Sequence, residues 1–367
     1  MAVFSLEALD AKSGDALLVH YGTSQDPRIL VVDGGFASTY DERLKPRLDE
    51  LRLARGLTSS EPLPVDHVMV SHLDLDHISG VVRMFGELRD AANSGGALPY
   101  GIGRLWHNSF DDSLREIVRS ASLPAGLVDA THSSEVVAAS VADARALRDI
   151  AEMFALQGNP PFKGLVLAPR QVELGNGLHA SVVGPDPDRL AALQKQWQKD
   201  IKKRVRDGDT ARVAAYVDNS VPNLSSIAVL LRQGTRTMLL TGDARGDDTL
   251  RGLAAANLID ANGKCKVDVL KLPHHGSDRN IDRDYFETII ADHYVISADG
   301  RHDNPSRATL QALTASQGDR RYTVYLTNPA GAAILKADLA AHKRNYTVEV
   351  RPTTKASIVV NLEDPAP

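Results

Sequence analysis

Within six residues the sequence places His72, Asp74, Asp76 and His77, two imidazoles and two carboxylates in the run SHLDLDHISG. Such a set suits a borderline divalent cation such as Zn²⁺, Mn²⁺ or Fe²⁺, which accepts both nitrogen and oxygen donors. The run does not stand alone. Asp243 falls in LLTGDA, and His274 and His275 fall in LKLPHHGS. One cation needs donors from distant parts of the chain to meet, so the elements in front of these segments decide whether they can.

Each segment follows residues that read as a strand: His67–Val70, Met238–Leu240 and Val267–Leu270. Three strand ends that deliver metal-ligand types describe a site at one edge of a sheet. Asp76 is placed to cap a helix running through Ile78, Val82 and Phe85. Further strands are expected at Val3–Leu9, Ala16–Tyr21, Ile29–Val32, Leu165–Leu167, Leu178–Val183, Ile227–Leu231, Tyr294–Ile296, Tyr322–Leu326 and Ile358–Val360. Helical patterns lie near 41–55, 246–257, 282–291 and 306–316. This alternation predicts an α/β protein, one domain over 1–367, with helical insertions at about 105–165 and 186–220.

The bulk composition narrows the function classes. A formal charge of −5 gives no sign of an overall basic nucleic-acid binder, although a local cleft can oppose the global sign. Cys265 is the single cysteine, which excludes an internal disulfide framework and a Cys-rich zinc site. The first residues lack a secretion signal, and no stretch approaches a membrane span, so a soluble cytoplasmic protein without a membrane partner is expected. Neither a P-loop nor a Gly-x-Ser-x-Gly elbow occurs, and the G-x-G at Gly101–Gly103 lacks a third glycine. Asp15 and Asp33 read as structural turn residues. His20, His67, His107, His132, His179, His293 and His342 lack a companion motif and read as core or surface. The basic run from Lys195 to Arg206 reads as a solvated helix face, with a phosphate track and stacking on Trp197 as the functional alternative.

SHLDLDHISG resembles the His-x-His-x-Asp-His signature of the metallo-β-lactamase superfamily. LLTGDA resembles its bridging-aspartate motif and LKLPHHGS its late-histidine motif, while SGDALLV and LVVDGG are similar to its opening strands. With Asp at the second ligand position and Asn223-Leu-Ser-Ser226 before a strand, the pattern is similar to the soluble nuclease-like domain of the ComEC DNA-uptake proteins. The phosphorylcholine esterases of the superfamily are similar at the metal motif.

The resemblance implies a four-layer αββα sandwich holding two divalent ions, Zn²⁺ or Mn²⁺. One site would use Asp76, His77, bridging Asp243 and His274; the other would use His72, Asp74 and the shared Asp243. Asp74 in place of an imidazole tilts the second site toward Mn²⁺, and no histidine precedes Ser226, which leaves that site weaker. The implied reaction is hydrolysis of a phosphodiester, in DNA or a nucleotide, by a metal-activated hydroxide that Asp76 orients. His275 or His302 would protonate the leaving oxygen. Hydrolysis of another ester or lactone, and a non-catalytic metal-binding regulator, are the alternatives.

Overall fold

The computed structural model describes residues 2–108, 135–188, 226–279 and 281–362. The Lys195–Arg206 run, Trp197, His132 and Asn223 lie outside them, as do the middle of the first expected insertion and almost all of the second.

Runs of β-branched and aliphatic residues bounded by turns form sixteen strands among the described residues. They are β1 (Ser5–Leu9), β2 (Leu17–Gly22), β3 (Pro27–Val32), β4 (Leu63–Val65), β5 (His67–Met69), β6 (Tyr100–Ile102), β7 (Leu105–Trp106) and β8 (Arg170–Gly175). The second half adds β9 (Leu178–Gly184), β10 (Ala228–Gln233), β11 (Arg236–Leu240), β12 (Cys265–Lys271), β13 (Ile289–Ile296), β14 (Tyr322–Leu326), β15 (Tyr346–Val350) and β16 (Ser357–Asn361). Six of them order as β16-β1-β2-β3-β5-β7 and eight as β15-β14-β13-β12-β11-β10-β9-β8, while β4 and β6 pair separately.

Three apolar clusters give the layers. One packs the helices Lys45–Ala54, Leu75–Asn93 and Glu135–Met153 on the six-stranded sheet, through Leu48, Ile78, Phe85 and Leu147. A second fills the space between the sheets with Leu6, Val19, Leu30, Met69, Val229, Leu240 and Val295. The third packs Leu253, Phe286, Leu310 and Leu335 of the later helices onto the other face of the eight-stranded sheet. Helix, sheet, sheet, helix is the four-layer αββα order that the motifs imply.

The parallel strands β5, β11, β12 and β13 are buried throughout their last three residues, where both sheet faces are covered. Their C-terminal ends therefore sit at the edge between the sheets, where loops are free to carry chemistry. Two close approaches tie that edge together. A Cβ on Gly14 would lie 2.0 Å from the Asp76 carbonyl oxygen, and one on Gly80 would lie 1.9 Å from that of Gly34. Only glycine lets these backbones meet.

Several expectations are corrected. Leu165–Leu167 is irregular, and the strand begins at Arg170. Residues 105–106 open the first expected insertion as a strand at the sheet edge, not as helix, and helix is described only from Glu135. The helix expected over 282–291 stops at Thr288, where Ile289 already begins β13, because its β-branched run pairs with β12. β15 and the helix Ala332–Ala341 have no counterpart among the elements expected from sequence.

Candidate metal centre

β5 leads through Val70 into Ser71 and His72, and the helix Leu75–Asn93 starts three residues later. Asp74, not Asp76, occupies the N-cap position, and its side chain makes no capping hydrogen bond. Asp76 and His77 stand in the first turn of that helix. The short link forces all four side chains of the motif to one strand end. β11 delivers Asp243 after Gly242, whose φ of 51° turns the chain at a point where a Cβ would strike Ser71. β12 delivers His274 and His275, both in the left-handed region at φ 48° and 54°. Left-handed backbone is unfavourable for histidine, and it aims two successive rings at one centre.

The two oxygens of Asp243 face two different donor sets. Oδ1 lies 3.4 Å from His77 Nε2 and 3.6 Å from His275 Nε2, and His275 Nε2 is 3.7 Å from Asp76. Oδ2 lies 3.6 Å from His72 Nε2 and 3.8 Å from His274 Nε2, and His72 Nε2 is 3.5 Å from Asp74. Ligands about 2.1 Å from a tetrahedral ion stand about 3.4 Å apart, close to this spacing and longer than good hydrogen bonds. His72 Nε2 is buried and has no hydrogen-bond partner.

The tautomers sharpen the case. His275 Nδ1 is 3.0 Å from the carbonyl of Ser297, which only accepts, so Nδ1 carries the proton and Nε2 the lone pair. His77 Nδ1 is 2.9 Å from Asp33 Oδ2, and burial raises Asp33 to about 7, so above that pH the ionised carboxylate fixes His77 the same way. Two Nε2 lone pairs then face each other at 3.3 Å. Such an arrangement is repulsive unless a positive charge joins them. A proton is a poor candidate for it, since burial first, then the neighbouring cationic groups, holds the His77 pKa well below its usual value. Burial likewise drives His275 to about 3, despite Asp15. A divalent cation fits.

The carboxylates are shifted the opposite way. Burial pushes Asp243 to about 8, against the pull of His72 and Lys271, and pushes Asp76 to about 6. The one imidazole of the cluster that favours its charged form is His72, where burial is outweighed by Asp243, Asp74 and Asp33, which together raise it to about 10.

The structure thus brings together His72, Asp74, Asp76, His77, Asp243, His274 and His275, and it regroups them. His275, not His274, stands with Asp76 and His77, while His274 joins His72 and Asp74. The two left-handed residues set the two rings on opposite oxygens of Asp243, His274 at Oδ2 and His275 at Oδ1. His275 is buried, with Nδ1 held by Ser297 and Nε2 turned into the cluster, a poor position for the general acid that the sequence allowed. His302 lies apart, exposed on the wall of a cleft of about 590 Å³ floored by Asp74, Asp76, Asp243, His274 and His275. Asp15, read from sequence as a turn residue, was missed: it offers an oxygen within 4.8 Å of the donor atoms of His77, Asp243 and His275. Asp33, also read as structural, holds His77 and accepts from the Ser71 amide and hydroxyl at 2.7 and 2.6 Å.

A profile of the metallo-beta-lactamase superfamily matches residues 13–117. The two-sheet fold is consistent with that family. The match spans the opening strands and the His72–His77 motif of this metallo-β-lactamase fold. No curated protein sequence matches the chain significantly. Among solved structures, Zn²⁺-bound PqqB from Methylobacterium extorquens is similar at 12% identity and a TM-score of 0.38, covering 95% of this chain and 87% of that one. The resemblance to ComEC domains is an expectation from the motifs alone. No described helix is long and apolar enough to cross a membrane.

Proposed function

We propose that the chain is a metal-dependent phosphodiesterase whose substrate, a nucleotide or DNA, enters the cleft above Asp243. The observation that carries the metal-dependent part is the convergence of the His77 and His275 lone pairs on Asp243 Oδ1. Two cations, Zn²⁺ or Mn²⁺, would be held by His77, His275, Asp76 and Asp243 on one side and by His72, His274, Asp74 and Asp243 on the other. Bound there, they would make water acidic enough to attack at neutral pH and would offset charge on a phosphoryl oxygen.

The chain's own residues supply the rest. Asp33 and the Ser297 carbonyl fix the ring orientations, and Asp76 orients the attacking water. Arg279 and Arg301 line the cleft wall, where guanidinium groups suit a phosphate. His302, on the same wall and open to solvent, would give a proton to the leaving oxygen. Asp278 and Asp303 on that wall favour a second reading, a phosphorylcholine-type ester whose ammonium they would face.

Stripped protein reloaded with Zn²⁺ or Mn²⁺ should hydrolyse bis-p-nitrophenyl phosphate, and Asp243→Ala should lose both metal and turnover. Faster hydrolysis of p-nitrophenyl phosphorylcholine than of the diester or of DNA would favour the second reading. Stoichiometric metal with no turnover on any of these would sink the phosphodiesterase assignment.

A further inference from the structure

Lys271 ends β12 with its side chain fully buried, and its ammonium pairs with Asp15 Oδ2, which is equally buried. The partners are 256 positions apart and belong to different sheets' ends. A buried ion pair seldom repays the desolvation of its two charges, so its presence is weak evidence of a stabilising role. Its location is more informative. The Asp15 amide donates to the Asp76 carbonyl, which pins Asp15 against the metal motif. Asp15 Oδ1 lies 3.6 Å from His275 Nδ1 and has no hydrogen-bond partner. Asp15 is therefore close enough to join His77, Asp243 and His275 as a donor, while Lys271 holds its other oxygen.

We propose that Lys271 is a metal-selectivity residue: by holding Asp15 it keeps a further carboxylate out of the His77–His275 donor set. This rests on the reading that the cluster binds a cation. With Asp15 withheld, the set is two imidazoles and the carboxylates of Asp76 and Asp243, which suits Zn²⁺. With Asp15 released, the set becomes richer in oxygen and more favourable to Mn²⁺.

The test is the ratio of Zn²⁺ to Mn²⁺ dissociation constants, measured by chelator competition on the full chain, with circular dichroism to confirm folding. Lys271→Met should shift that ratio toward Mn²⁺ by about tenfold. Asp15→Asn, which leaves the lysine but removes the carboxylate, should leave the ratio unchanged even if both metals bind more weakly. The double variant should return to the wild-type ratio. A shifted ratio in Asp15→Asn would mean that Asp15 already ligates, and would overturn the proposal, as would an unchanged ratio in a folded Lys271→Met. If Lys271→Met does not fold, Lys271→Leu takes its place with the same expected shift, and an unchanged ratio in that folded variant would overturn the proposal. Wild-type protein that binds neither metal would overturn the metal-centre reading itself.

Discussion

Two buried acidic sites in this molecule use similar residues to opposite ends. Glu7, on β1, accepts from Arg47 Nε at 2.7 Å and Ser357 Oγ at 2.5 Å, and its second oxygen meets His20 Nε2 at 2.8 Å. Burial would raise its pKa, yet these partners hold it at about 2. Asp243 is as deeply buried, but burial pushes it to about 8 among imidazoles that are themselves mostly neutral. Glu7 is complete within the chain. The Asp243 cluster instead sets four imidazoles and two further carboxylates around its acid, a donor set that suits a divalent cation. A buried acid next to histidines is thus a metal-site candidate only when no guanidinium or hydroxyl has already satisfied it.

The largest expected effect separates the two on stability. Glu7 has its pKa lowered from 4.5 to about 2 on folding, so its stabilisation is whole above pH 4.5 and fades as pH falls toward 2. Glu7→Gln should cost on the order of 3 kcal/mol at pH 7 and little near pH 2, with metal content unchanged, as denaturant titrations and metal analysis would show. Loss of metal in that variant would break the contrast.

Asp33→Asn should do the reverse. Asn tolerates the φ of 59° at this position, so the fold should persist, while the weakened hold on His77 lowers metal affinity by about 10–100-fold. Chelator competition measures it, and unchanged affinity would remove Asp33 from the centre. The smallest effect is expected at Arg279→Ala, which should raise KM for a phosphodiester about tenfold and leave metal binding alone. An unchanged KM would place phosphate recognition elsewhere.

Much of this centre was legible because its donors are local to strand ends. His72 to His77 span one strand–helix link, and Asp243 and His274–His275 each follow an apolar run whose end is visible in the sequence. The α/β class follows from the same alternation of apolar runs, whereas the four-layer order was implied only by the motif resemblance. Less local features were not legible. The start of the helix at Leu75 moved the cap from Asp76 to Asp74, a difference of two residues that depends on how the loop meets the sheet.

By itself the sequence determined which side chains could hold a cation, the α/β class, and the strands that carry those side chains. Only the tertiary structure decided their grouping. The choice of His275 over His274 beside His77 depends on two left-handed residues, which residue type alone does not reveal. Asp15 came to lie against the centre because Gly14 lets the backbone approach Asp76 and because β12 brings Lys271 to it from the other sheet. Contacts between residues 256 positions apart leave no local pattern, since nothing near either residue in the chain records its partner.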